Sequence, residues 1–395
     1  MKFTYHNPTR LIFGAGTLAQ LGTEVRAYGK KALLVTGGGS IRRSGTFQRA
    51  VKSLEQAGVS FVECSGVEPN PRLSTVKRGA GIAKEEGCDI VVALGGGSTM
   101  DAAKVMAAAV FYEGDPWDMM VHRGESRRKP ERALPIVTVP TLAATGSEMN
   151  GGAVITDEVT TVKSFVVAEC LYPKVAVVDP ELAASVPADQ TAYGVCDLIT
   201  HVTESYFNGV DGTPLQDRIA EGIIITAMEW GPKAVVNGHD VEARAQVQWA
   251  STVALMGVVQ AGSNAAFPVH IIEHSLSAHH DIAHGAGLSI VSPAWMRFAA
   301  RSRPERFAQF AQRIFGIPFQ KDNAAEAATE GIGRFEAFLC SIGCPTRLSE
   351  VGIGGELLER YAKDSLLIAC DAEGRLPGRP PMSAPDIVET LRSVL

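Results

Sequence analysis

Several features that would assign this chain to a specialised class are absent. Its seven cysteines are scattered and form no C-x-x-C pair, so we expect no disulfide framework. It lacks a run of ~18 or more apolar residues, so we expect no membrane-spanning helix and no membrane partner. Its first residues are mixed in polarity rather than basic and then apolar. No secretory signal is therefore predicted, and the expected location is the cytoplasm.

An excess of positive charge is also missing. The formal net charge is -6, and charged residues make up 20% of the chain, so nucleic acid is not an expected partner. The apolar fraction of 46% is that of an ordinary globular protein. At ~100–200 residues per domain, 395 residues predict about two domains.

The first half of the sequence alternates short apolar runs with glycine-rich turns and helical patterns. The predicted strands are 31–36, 59–64, 88–94, 134–139 and 175–178, and the predicted helices between them are 46–57, 74–86 and 99–110. Strands that alternate with helices in this way are typical of a parallel sheet. The sequence therefore predicts an α/β domain over residues 1–185.

The sequence pattern changes near residue 187, where apolar residues begin to recur with a period near 3.6. The clearest of the predicted helices are 190–206, 217–230, 241–259 and 304–315. We therefore predict an all-helical second domain over residues 186–395.

Two glycine-rich loops suit the phosphates of a dinucleotide. Residues 95–98 (GGGS) lie between a predicted strand and helix, with Asp101 in the first helical turn. Glycines let the backbone approach an anion, and the helix presents free N–H groups to it. One such loop is equally well a turn capped by Ser98. However, residues 37–40 (GGGS) repeat the arrangement after an earlier strand.

The residues that follow the earlier loop bear on the choice of cofactor. No acidic residue is present near it to hold a ribose 2′-hydroxyl, whereas Arg42 and Arg43 follow it within three residues. Arginines suit a 2′-phosphate, so NADP(H) is predicted in preference to NAD(H). The alternative is that both arginines are surface charge. A third loop, residues 141–148, has hydroxyls and small residues suited to a nicotinamide ribose.

Histidine is concentrated in the second half, where residues 270–284 hold five of the nine in the chain. Asp197 and His201 are four residues apart in a predicted helix, so both project from one face. His270 and His274 repeat that spacing, and His284 follows. Imidazoles and a carboxylate suit iron(II) or zinc with one position left for substrate.

One local feature supports this metal hypothesis, and another offers an alternative to it. Residues 278–281 form a predicted polar break that returns the chain toward the same point, and Gly285 and Gly287 leave room around His284. Residues 270–274 also match H-x-x-E-H, the zinc-peptidase pattern in which Glu273 would be the base. That reading leaves both glycine loops and the Asp197 and His201 pair unexplained, so it is the less favoured one.

In combination these motifs resemble the iron-containing alcohol dehydrogenases. The matching segments are 7–14, 69–71, 95–98 with Asp101, 140–141, 145–148, 179–180 and the spacing of the histidines at 270, 274 and 284. The resemblance implies an N-terminal dinucleotide-binding domain and a C-terminal helical metal domain, the plan shared with dehydroquinate synthase. The chain looks most similar to the branch of NADPH-dependent butanol dehydrogenases and broad-range aldehyde reductases.

The resemblance also implies roles for single residues. The metal ligands would be Asp197, His201, His270 and His284, and His274 would be a catalytic residue that contacts substrate or relays a proton. Cofactor contacts would be Gly38, Ser40, Asn70, Gly95, Gly96, Gly97, Ser98, Thr138, Thr141, Ser147, Asn150 and Lys163. Many family members carry Thr-Ala-Gly where this chain has Leu-Ala-Ala at 142–144, so the contacts of that loop stay open.

The activity implied is reversible hydride transfer between NADPH and small to medium aliphatic aldehydes, catalysed by a homodimer with one divalent ion per chain. The alternatives are a zinc-dependent glycerol-type dehydrogenase or a dehydroquinate synthase of the same superfamily, and a non-catalytic protein that binds nucleotide or metal. Aspartate and histidine ligands accommodate iron(II), zinc or manganese, so the native ion is left open.

Overall fold

The computed structural model describes residues 2–395. Its strands are β1 Arg10–Phe13, β2 Lys31–Gly37, β3 Ser60–Val67, β4 Ile90–Gly95, β5 Val121–His122, β6 Glu125–Ser126, β7 Ile136–Pro140, β8 Gly152–Asp157, β9 Val162–Val167 and β10 Val175–Val178. The helices that precede or lie among them are α1 Leu21–Arg26, α2 Ser40–Arg43, α3 Thr46–Gln56, α4 Leu73–Glu85 and α5 Gly97–Ala109. The helices that follow the strands are α6 Ala188–Asn208, α7 Pro214–Val236, α8 Val241–Leu255, α9 Pro268–His280, α10 His284–Ala300, α11 Pro304–Phe315, α12 Ala324–Ser341, α13 Leu358–Ile368 and α14 Ala384–Arg392.

Six strands form one parallel sheet in the order β1-β10-β7-β4-β2-β3. Its strands are apolar on both faces because helices cover both. In β2, Leu33 and Val35 face one core cluster, and Ala32 and Leu34 face the other. The chain moves from β2 to β3 on one side and returns to β4 on the other, which opens a crevice at the carboxyl ends of β2 and β4. The predicted α/β class is confirmed.

The second half folds around its own core, built from α6 to α14. Large aromatic side chains fill its centre. The rings of Phe207 and Phe307 stack with centroids 4.0 Å apart, and Trp295 is 1% exposed. The predicted helical second half is therefore confirmed. None of the helices formed by residues 2–395 has the length and hydropathy that crossing a bilayer requires.

Two local predictions were wrong, and one pair of strands was missed. Helix α8 ends at Leu255 rather than at residue 259, because Gly257 has a φ of 100° that a helix cannot accommodate. Helix α9 continues through residues 278–280, so the predicted polar break begins only at Asp281. The antiparallel hairpin of β8 and β9 was not predicted at all. Its strand β9 packs against α9, so the hairpin links the two halves.

The sheet ends at Val178 and helix α6 begins at Ala188. The division of the chain into residues 1–185 and 186–395 falls in the segment between these elements. That these two ranges are separate domains stays a prediction.

Candidate active site

A cavity of about 480 Å³ lies where the carboxyl edge of the sheet faces the helical half. From the sheet side it is lined by Asn70, Ser98, Asp101, Thr145, Ser147, Asn150 and Lys163, and from the helical side by His201, His270, His274 and His284. The remaining wall is largely apolar, with Phe165, Leu255, Phe267, Ile271 and Leu376. The fold thus brings predicted metal ligands and part of the predicted cofactor site to one place.

The predicted metal ligands converge on a single carboxylate oxygen. Asp197 Oδ1 lies 3.5 Å from His201 Nδ1, 3.4 Å from His270 Nε2 and 4.0 Å from His284 Nε2. Ligand atoms ~2.0–2.2 Å from a tetrahedral ion lie ~3.3–3.6 Å from one another. The distances from Asp197 to His201 and His270 therefore match those between donors around one divalent cation, and the distance to His284 is longer than that range.

The hydrogen bonding of these groups gives an independent test of the fit. Asp197 Oδ1, His201 Nδ1 and His270 Nε2 are buried and have no hydrogen-bond partner. A buried polar atom without a partner costs ~1–3 kcal/mol, so three of them at one point call for a shared ligand. A divalent cation would satisfy all three at once, and this donor set suits iron(II) or zinc.

Helix geometry explains how the four groups meet. Asp197 and His201 are one turn apart on α6, His270 lies in the first turn of α9, and His284 is the first residue of α10. The start of α10 is packed tightly. A Cβ on Gly285 would lie 2.3 Å from the carbonyl oxygen of Tyr193. Glycine is therefore required at position 285 because any larger side chain would collide with the neighbouring helix, and not because it leaves open space around His284.

Two buried carboxylates orient two of the imidazoles. Glu204 Oε2 contacts His270 Nδ1, and Glu273 Oε2 contacts His284 Nδ1 at a short hydrogen-bond distance. Both glutamates are 0% exposed. Such partners fix the tautomer of a ligand and aim its other nitrogen at the metal. Because Glu273 is committed to His284 in this way, the peptidase reading of H-x-x-E-H has no structural support.

The pKa values of the ligands reflect burial and their neighbours. Burial lowers the pKa of His201 to about 3, although Asp197 opposes the shift. Burial also acts against protonation of His270, but the carboxylates of Glu204 and Asp197 raise its pKa to about 10. Burial would raise the pKa of Asp197, yet its three imidazole neighbours hold it well below the usual range. A cation at His270 Nε2 would replace the proton that these carboxylates attract.

His274 belongs to the cavity but not to the group around Asp197. Its ring centroid is 5.7 Å from that of His284, and its Nδ1 is buried without a hydrogen-bond partner. Burial first, and then the charge of Lys163, hold its pKa well below the usual range. The imidazole is therefore neutral and presents a free nitrogen. Its exclusion from the metal ligands and its catalytic role both stay predictions.

The two glycine loops lie at the ends of neighbouring strands. Gly95 ends β4, Gly96 precedes α5 and Gly97 opens it. A Cβ on Gly97 would lie 2.5 Å from Thr145 Cγ2, and the Thr141 amide donates to the Gly95 carbonyl at 3.0 Å. The earlier loop follows β2, where a Cβ on Gly38 would meet nothing within 4 Å. Ser40 there is exposed at the start of α2.

Five of the predicted cofactor residues have their side chains engaged inside the protein: Asn70 and Lys163, which hydrogen-bond to each other, and Thr138, Ser147 and Asn150. Thr138 is fully buried in β7 and does not line the cavity; its hydroxyl lies 3.5 Å from the Val175 carbonyl. Ser147 Oγ and Asn150 Oδ1 accept hydrogen bonds from Lys104 at 2.8 Å and 3.2 Å. Lys104, which sequence reasoning missed, is 0% exposed, and burial lowers its pKa to about 8. It ties α5 to the loop on the cofactor side.

The expectation that no acidic residue lies near the early loop was wrong. Glu63, on the neighbouring strand β3, pairs with Arg42 at 2.6 Å and accepts a hydrogen bond from Thr36 at 2.9 Å. The Arg42 guanidinium also lies 3.8 Å from the centroid of the Phe47 ring. Arg42 is therefore partly neutralised, which weakens the argument for a 2′-phosphate. A search for an acidic residue ~20 positions further on would have found Glu63.

Two family models match the chain, one over each half. The model described as "Iron-containing alcohol dehydrogenase" matches residues 8–180. The model described as "Fe-containing alcohol dehydrogenase family, C-terminal" matches residues 191–395.

Individual proteins match over nearly the whole chain. NADH-dependent butanol dehydrogenase A of Clostridium acetobutylicum is 41% identical over 393 residues, 99% of each chain. The NADPH-dependent aldehyde reductase YqhD of Escherichia coli is 34% identical over 364 residues, 92% of each chain. The crystal structure of NADH-dependent butanol dehydrogenase A from Thermotoga maritima matches with a TM-score of 0.94 and 40% identity, covering 100% of this chain and 98% of that one.

Replacing Gly287 by alanine tests the role of the outer carboxylate. The new Cβ would lie 2.6 Å from Glu273 Cγ and 2.8 Å from Glu273 Oε1, so Glu273 must move and release His284. We expect the affinity for Zn²⁺, measured by competition with a chromogenic chelator, to fall about 10- to 100-fold. Gly333→Ala is the matched control, because a Cβ there meets no atom within 4 Å. An equal affinity in both variants would contradict the assignment of Glu273.

Proposed function

The chain belongs to the iron-containing alcohol dehydrogenase family and is an oxidoreductase of the NAD(P)-linked alcohol dehydrogenase and aldehyde reductase type, and we propose that its substrates are small to medium aliphatic aldehydes and the corresponding alcohols. The observation that carries this proposal is the shared cavity. One space is lined by Ser98 of the glycine loop, by the histidines around Asp197, and by an apolar wall. Cofactor, metal and substrate would therefore meet in one place.

The proposed chemistry divides between the bound groups and the protein. When bound, a divalent cation would polarise the carbonyl oxygen, and the reduced nicotinamide would supply the hydride. Asp197, His201, His270 and His284 would hold the cation, and Glu204 and Glu273 keep two imidazoles oriented. We propose that neutral His274, which lines the same cavity, relays a proton between water and the substrate oxygen. During reduction one ring nitrogen gives its proton to the substrate oxygen while the other takes one from water, and oxidation runs the same transfers in reverse.

The wall of the cavity supports an aliphatic substrate over a polyol. Phe165, Phe267 and Ile271 offer no hydrogen bonds from their side chains. A hydroxyl buried there without a partner costs ~1–3 kcal/mol, so a glycerol-type substrate is disfavoured. An alkyl chain loses nothing and gains ~0.8 kcal/mol for each CH₂ group that it buries.

The test of this function is an aldehyde-dependent loss of nicotinamide absorbance with butanal, repeated after chelation. Asp197→Ala should abolish metal binding and turnover, because it removes the oxygen on which the ligands converge. Fluorescence titration should show that it still binds reduced nicotinamide dinucleotide. Asp189→Ala, on the exposed first turn of the same helix, is the matched control and should retain both. Cofactor binding without turnover in the metal-loaded wild type would favour the non-catalytic alternative.

For the cofactor, we propose that NADH is used alongside NADPH, in place of the NADP(H) preference expected from Arg42 and Arg43. The pairing of Arg42 with Glu63 supports this change. Arg43 is exposed beside the loop and supports the use of NADPH as well. Names of relatives point both ways, since the butanol dehydrogenase is called NADH-dependent and the aldehyde reductase NADPH-dependent.

Glu63→Gln should shift the preference toward NADPH, because it removes the carboxylate that holds Arg42. Releasing one exposed ion pair of ~1 kcal/mol corresponds to about a fivefold rise in the ratio of kcat/KM for NADPH to kcat/KM for NADH. The measurement is steady-state kinetics with both cofactors at one aldehyde concentration. Glu55→Gln, an exposed change on α3, serves as control. An unchanged ratio in Glu63→Gln would sink the proposal.

We also propose a homodimer. Strand β1 lies at the edge of the sheet, and aromatic side chains are exposed on it and before it, with Phe13 at 38%, Phe3 at 48% and Tyr5 at 42%. An uncovered sheet edge with apolar side chains favours pairing with another chain. The cytoplasmic location and the choice between iron(II) and zinc stay predictions.

A further inference from the structure

Two residues with left-handed backbone meet between the sheet and the helical half. Asn70, in the loop before α4, has a φ of 54°, and Asp281, directly after α9, has a φ of 51°. Asn70 Nδ2 donates to Asp281 Oδ1 at 3.0 Å and to the carbonyl oxygen of Ile282 at 3.1 Å. Non-glycine residues are uncommon in this conformation and persist where their surroundings hold them. The contact therefore joins two segments whose backbones are well defined.

The segment that Asn70 holds is the one that places a metal ligand. Only residues 281–283 separate the end of α9 from His284, the first residue of α10. Arg72, two residues after Asn70, adds a contact of 3.7 Å between its guanidinium and Asp281 Oδ2. Both carboxylate oxygens of Asp281 therefore face groups of the sheet-bearing half.

A second route runs from Asn70 to the same ligand. Asn70 Oδ1 accepts a hydrogen bond of 2.8 Å from Lys163 Nζ, which also donates to Ser277 Oγ at 2.9 Å. The Lys163 ammonium lies 3.6 Å from Glu273 Oε2, the oxygen that contacts His284. Asn70 and Lys163 are 7% and 4% exposed. His284 is thus supported at its backbone through Ile282 and at its ring through Glu273, and Asn70 is common to both routes.

We propose that Asn70 and Asp281 are positioning residues, which hold the His284 segment of the helical half in place from the sheet-bearing half. The proposal rests on the metal site proposed above. Asn70 also lines the cavity, and the family resemblance implies that it contacts the cofactor. The hydrogen bonds of its side-chain amide, however, are made with Lys163 and with the segment that carries His284. Asp281 does not line the cavity, so its substitution tests positioning without removing a wall of the site.

The experiment compares Asp281→Gly with Asp281→Asn. Glycine adopts the left-handed backbone freely but removes the carboxylate, whereas asparagine also tolerates that backbone and keeps an acceptor for Asn70. We expect Asp281→Gly to raise the dissociation constant for Zn²⁺ about tenfold, by chelator competition. Asp281→Asn should restore it to within about twofold of the wild type. NADH affinity of the metal-free protein should be unchanged in both.

The metal-free melting temperature separates positioning from simple stability. A purely structural role would lower that temperature in Asp281→Gly and leave the Zn²⁺ affinity of the folded protein unchanged, which would overturn the proposal. Asn70→Gly is the second variant, because it keeps the backbone angle and cuts both routes at once. It should weaken Zn²⁺ binding more than Asp281→Gly does, and an affinity equal to that of the wild type would also overturn the proposal. Failure of the wild type itself to bind Zn²⁺ would refute the proposed function instead.

Discussion

The structure depends on a buried carboxylate that three imidazoles approach at once. Asp197 is 2% exposed, and its Oδ1 atom makes no hydrogen bond of its own. A charge in that position is tolerable only if its neighbours are arranged around a cation, because an isolated buried carboxylate is strongly unfavourable. The outer glutamates and the glycines at the start of α10 serve that arrangement. Each brings an imidazole, or the helix that carries it, to the required place.

The cofactor side of the cavity depends on a different constraint, which is that the glycine loop after β4 packs closely against a neighbouring loop. A Cβ on Gly97 would collide with Thr145, so the loop after β4 and the loop after β7 are in direct contact. Beneath them, the buried Lys104 ties the Ser147 hydroxyl to the start of β8 through a 2.7 Å hydrogen bond to the Gly152 carbonyl. The cavity thus has a preorganised wall on each side, one of main chain and one of imidazoles.

Local spacing was enough to predict most of the main helices and strands, and it pointed to the side chains that the structure brings together around Asp197. Asp197 and His201 show the i, i+4 spacing of one helical face, and the density of histidines drew attention to His270 and His284. Glu204 lies on the same face of α6 as Asp197, one turn beyond His201, so the helical spacing could have identified it. It was missed because it contacts a ligand and is not itself one of the proposed ligands. Lys104 acts through contacts with other elements, which no spacing along the chain reveals, whereas Glu63 lies at the distance along the chain at which an acidic ribose partner is expected. His279 and His280 are the two histidines of residues 270–284 that have no predicted role, and both lie against α13, where they contact Asp364 and Tyr361.

The proposed site holds one divalent cation at Asp197, between the two halves of the chain. Two groups of possible ligands overlap here, because His284 also lies with Glu273 and His274 in a second cluster of metal-binding side chains. Anomalous diffraction at the zinc edge from crystals of the Zn²⁺-loaded protein distinguishes them directly. We expect one peak ~2.0–2.2 Å from Asp197 Oδ1 and from the nearest nitrogens of His201, His270 and His284. A peak coordinated by Glu273 and His274 would contradict this assignment of the ligands.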